Sequence, residues 1–131
     1  MSNKKQHLNV KHLLFTFILL FLPVACAYAQ NNRMYYLNKA KDHIRDAEYY
    51  EKQAEGYDRE SQSYNKKAQD YLREAEYYTR QKNYDKVKLY NSWAKEATDK
   101  ARLQAGWAKD AHDKANTRMR WAEEALQRAR W

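Results

Sequence analysis

The chain has 131 residues, 32% of them charged and 44% hydrophobic, with two glycines, one proline, one cysteine and a formal net charge of +8. That length gives one small domain. So few turn-forming residues exclude a many-stranded sandwich, barrel or doubly wound sheet, and abundant Ala, Glu, Lys and Arg favour helix, so the expected class is all-α.

Residues 1–29 have the form of an export signal. Lys4, Lys5 and Lys11 make a basic stretch without an acid, Leu13 to Leu22 is an apolar run, Pro23 breaks it, and Ala27-Tyr28-Ala29 supplies the small residues read by a signal peptidase. Cleavage is expected between Ala29 and Gln30. Two other fates are open to this segment: an uncleaved membrane anchor, or lipidation at Cys26, although Pro23 stands where a lipobox wants leucine. Cleavage removes the only cysteine, so no disulfide staples the mature chain. With no N-x-[ST] acceptor either, a periplasmic or secreted bacterial protein is expected. Without the signal lysines the chain carries 22 basic and 17 acidic side chains, and the whole excess of +5 lies in residues 81–131.

After a short lead at residues 30–34, small and aromatic residues alternate in steps of four and three. The seam reads Tyr36, Ala40, His43, Ala47, Tyr50, Ala54, Tyr57, Ser61, Tyr64, Ala68, Tyr71, Ala75, Tyr78, with charged and amide residues between. A heptad seam of this kind buries one stripe of a helix. A second seam, out of phase with the first, runs Val87, Tyr90, Ala94, Ala97, Ala101, Gln104, Ala108, Ala111, Ala115, Arg118, Ala122, Ala125, Ala129. The expected architecture is therefore an antiparallel two-helix coiled-coil hairpin, with a helix over 35–80, a turn over 81–85 and a helix over 86–130. Asn83 suits the left-handed end of the first helix and Asp85 the cap of the second.

Residues that face each other across such a hairpin have numbers adding to a constant, near 165 for a turn at 82 to 83. Tyr71 then meets Ala94, Tyr64 meets Ala101, Tyr57 meets Ala108 and Tyr50 meets Ala115. The intervening alanine-on-alanine layers would leave voids that close packing does not accept. Trp93, Trp107 and Trp121 recur every 14 residues, each one turn before an alanine of those layers, so the indoles are expected to lean over them. They head an internal repeat, WAKEATDKA, WAKDAHDKA and WAEEALQRA. Gly56 and Gly106 fall near each other in the same register, which suggests a close approach of the backbones.

Around the turn, Ala75-x-x-Tyr78-x5-Tyr84-x-x-Val87-x6-Ala94 resembles one tetratricopeptide repeat, with Lys82 where that family has glycine and Val87 where it has alanine. The resemblance covers about 24 residues and implies a protein-binding helical scaffold without enzymatic activity.

Chemistry has little to stand on, and no enzyme is expected. The mature chain keeps His43 and His112, which the register sets about 15 Å apart along the hairpin, too far to share a metal. No phosphate loop, catalytic group, metal or cofactor site is expected. Two functions remain. The first is an exported interaction or structural module, a homo-oligomer or a protein docked on an envelope or secretion partner, using Trp93, Leu103, Trp107, Met119, Trp121 and Leu126. The second is a binder of polyanions, nucleic acid or an acidic envelope polymer, through Arg118, Arg120, Arg128 and Arg130 beside the tryptophans.

Overall fold

The computed structural model of the chain describes the backbone of residues 3–130 and the side chains of residues 24–130. Two helices account for it, α1 (Asn3–Arg80) and α2 (Tyr84–Arg130), and no strand occurs among the described residues. The side chains of the basic stretch and of the apolar run Leu13 to Leu22 lie outside the described residues. Cys26 is exposed. Residues 30–34, expected as a lead, belong to α1, because nothing in Gln30-Asn31-Asn32-Arg33-Met34 breaks a helix. Among the described residues no helix is long and apolar enough to cross a membrane.

The chain divides into two units, Met1–Asp42 with Ala122–Trp131, and His43–Trp121. In the unit His43–Trp121 the helices pack antiparallel along the two seams. Every seam position from His43 to Arg118 is buried or half-buried. In the other unit Ala40, Ala122, Ala125 and Ala129 are buried and Tyr36 is half-buried. The fully enclosed side chains are small: alanines, with Ser61 the one buried polar residue among those described. Ser61 shows how near the helices come, since its short hydroxyl donates to the Ala101 carbonyl of the opposite helix at 2.9 Å.

The turn is tighter than expected and uses different residues. The Asn83 amide donates to the Tyr78 carbonyl at 3.0 Å and the Lys82 amide to the Thr79 carbonyl at 3.0 Å. Those bonds are the 6→1 and 5→2 pair of a Schellman end, which needs a left-handed residue between them. That residue is Lys82, with φ 56°, and not Asn83. Asn83 is the cap of α2 instead of Asp85: its Oδ1 accepts from the Lys86 amide at 3.3 Å and its carbonyl from the Val87 amide at 3.1 Å. One short polar side chain three residues before an orphan amide satisfies it, which starts α2 at Tyr84 and leaves Asp85 inside the first turn.

The register follows from that turn. Tyr71 with Trp93, Tyr57 with Trp107 and His43 with Trp121 are in ring contact across the two helices. The glycines are explained differently from the expectation. A Cβ added at Gly56 or at Gly106 would meet nothing within 4 Å, so neither marks a close approach of backbones in this chain.

Candidate functional site

Trp93, Trp107 and Trp121 project from α2 onto the aromatic row of α1. Their ring centroids lie 5.6 Å from Tyr71, 5.6 Å from Tyr57 and 5.5 Å from His43, at tilted or edge-on angles. Such pairs add about 0.5–1.5 kcal/mol beyond their burial. His43 thus occupies a tyrosine position of the seam as one more ring. Each indole lies against a ring of α1 and yet stays 40–44% exposed, because a pair of helices covers only one side of it.

Seven residues before each tryptophan stands a cation that sequence reasoning did not single out. Lys86 lies 4.4 Å from the Tyr78 ring, Lys100 5.9 Å from Tyr64 and Lys114 5.7 Å from Tyr50. The unit His43–Trp121 therefore stacks alternating layers, tyrosine under lysine and then tyrosine or histidine under tryptophan. In the other unit Arg128 lies 5.9 Å from the Tyr36 ring. The signal was in the sequence: Lys86, Lys100 and Lys114 share the 14-residue period of the tryptophans.

Near the turn the ladder thickens into a cluster. Tyr90 stacks on Tyr78 at 5.5 Å with 13° between the planes and meets Trp93 edge-on at 5.2 Å. Beside it Tyr64, Tyr71, Trp93, Lys67, Glu96 and Lys100 line a cleft of about 290 Å³. In Tyr49-Tyr50 and Tyr77-Tyr78 the second ring sits in the seam and the first stands edge-on to it, exposed.

The remaining docking candidates are also exposed: Leu103 at 53%, Met119 at 45% and, in the other unit, Leu126 at 39%. Leu103 lies four residues before Trp107 on one face of α2, whereas Met119 lies toward the opposite flank. Within each unit the two arginine candidates diverge. Arg118 and Arg120 are two residues apart and so point to nearly opposite sides of α2, and Arg118 is held at 3.3 Å by Asp46 and stacked 4.9 Å from Trp121. Arg128 and Arg130 likewise diverge on their helix.

His112, weighed in the sequence only as a metal ligand, makes contacts across the helices that the register could have placed. It bridges two carboxylates of α1 one heptad apart, Nδ1 at 3.0 Å from Glu51 and Nε2 at 3.4 Å from Asp58. The hydrogen bond to Glu51, then that to Asp58, raises its pKa above the ordinary 6.5, against the opposing effect of desolvation. A raised folded pKa gives a stabilisation that is complete below 6.5 and is lost as the pH climbs through the folded value. Thermal unfolding followed at increasing pH from slightly acid to slightly alkaline should therefore show a falling midpoint, and His112→Gln should lack that slope. Equal slopes in both proteins would show that the bridge does not couple to folding.

Comparison with protein-family models, with curated proteins and with solved structures finds no match.

Proposed function

We propose that this chain is an exported, non-enzymatic α-helical interaction module that acts by protein–protein contact. Export rests on the signal pattern of residues 1–29. The observation that carries the interaction reading is the state of the tryptophans. Three indoles are fixed in place by rings of the opposite helix and still keep about two fifths of their surface in water. Fixed, half-covered aromatic anchors lose little conformational entropy on docking and gain most from a partner that finishes their burial. The alanine core argues the same way, since small side chains remove limited apolar area from water per residue. A local likeness of the turn to a tetratricopeptide unit agrees with a binding scaffold.

The test is crosslinking in the intact envelope, with a photoreactive group at Leu103 and the crosslinked protein identified by mass. A discrete protein adduct that Trp107→Ala abolishes and Lys109→Ala leaves is the expected result. Retention on polyanions that collapses steeply with salt, with no protein adduct, would replace this reading by the polyanion one.

A further inference from the structure

On α2 the outer side of the ladder is built from pairs one turn apart. Leu89 with Trp93 and Leu103 with Trp107 are apolar, and between them Glu96 and Lys100 form an ion pair at 2.7 Å. On the same side of α1 the corresponding rows hold Tyr49, Gln53, Gly56, Glu60, Ser63, Lys67, Asp70, Glu74 and Tyr77. Of the ten exposed large apolar side chains in the unit His43–Trp121, seven fall on this face, Tyr49, Tyr77, Leu89, Leu103 and the three tryptophans, while Leu72, Tyr84 and Met119 do not.

The face has a protrusion and a hollow at one height. The protrusion is Leu103 with Trp107. Opposite it on α1, Gly56 takes the place of a side chain, and a recess of about 330 Å³ opens there, lined by Gln53, Gly56, Tyr57, Glu60 and Gln104. That is the small end of ligand-sized pockets, with room for one two-ring side chain. An indole matches that space, and Trp107, in ring contact with Tyr57 of the recess lining, presents one at the same height. Nothing within the chain needs a glycine at position 56, since a Cβ there meets nothing within 4 Å.

Charge decides which way a second face would lie on this one. The α1 row carries Glu60, Asp70 and Glu74 against Lys67, and the α2 row carries Lys86, Lys100 and Lys114 against Glu96 and Asp110. A two-fold axis across the helices would set acidic row on acidic row. A two-fold axis along them sets each α1 against the partner's α2, acids toward lysines, and brings the protrusion of each copy to the hollow of the other. The same acids repel a polyanion.

We propose that a second copy of this chain docks on this face about a two-fold axis parallel to the helices, with Trp107 of each copy seated over Gly56 of the other. This rests on the interaction reading and names the partner.

Sedimentation of the protein, expressed with its own leader and recovered after export, tests it. The wild type should reach a dimer in a reversible, concentration-dependent way. Trp107→Ala should raise the dimer dissociation constant by about 30-fold or more, as the loss of a central tryptophan anchor does. Gly56→Leu fills the hollow and should raise it similarly. Because leucine is a far better helix former than glycine, helix content and the melting of the monomer should hold or improve in that variant, which separates lost docking from lost folding. A protein that stays monomeric at every concentration overturns the proposal, as does a dimer that neither substitution weakens. A monomer that still gives the Trp107-dependent envelope adduct removes the second copy and keeps the interaction reading. Loss of both removes both.

Discussion

Ala54→Leu is expected to lower the stability of the hairpin by about 2–3 kcal/mol, the cost of forcing added methylenes into a seam that cannot widen locally. Ala54 is 0% exposed and Ala111, across the seam, 4% exposed. The hydrogen bond from Ser61 to the Ala101 carbonyl fixes the separation of the helices one heptad away, so the larger side chain either strains that bond or leaves its rotamer well. Unfolding followed by far-ultraviolet circular dichroism should show a drop of about 10 °C or more in midpoint for a unit this small. Ala105→Leu is the control: it lies on the exposed side of α2 and should change stability by about 0.5 kcal/mol or less. Equal effects at the two positions would mean that the helices are not held at alanine distance.

The second large effect is expected at Tyr71. Its ring touches Trp93 at 5.6 Å and Tyr90 at 6.3 Å and lines the cleft beside them. Tyr71→Ala removes a half-buried ring from the middle of the cluster and should cost about 3 kcal/mol, in the range for aromatic truncations. Trp93 then loses its cover on the α1 side, so tryptophan emission should shift to longer wavelength. Tyr71→Phe keeps the ring and should stay within about 1 kcal/mol of the wild type. An alanine variant as stable as the phenylalanine one would make the aromatic layer a bystander.

The seams were legible because they are a repeat of small and aromatic residues with polar residues between, and period is what a helix pair reads from a sequence. That pattern located the turn to within two residues. The turn itself was less legible. Asn83 and Asp85 are both good caps, and only the Schellman geometry, which forces the left-handed conformation onto Lys82, decides between them. The two glycines misled for a related reason: a glycine in a helix interior signals room for something, and the sequence does not say whether that something is the chain's own backbone. The contacts of His112 could have been found by setting it against Glu51 in the facing register. The cationic layers were hidden by chemistry, since lysines at helix flanks are read as solvated until a ring is seen beneath them.

The alternation of lysine and tryptophan layers makes the hairpin a ruler with two kinds of mark. Seven residues carry a layer to the next seam position but exchange its kind, and only fourteen restore it. An insertion of one heptad in a single arm would keep both seams in phase and still slide every indole onto a lysine's tyrosine. A matched insertion of fourteen residues in each arm would lengthen the paired region by about 21 Å and disturb no layer. Length in this design is therefore quantised, and the unit is the spacing between successive tryptophans.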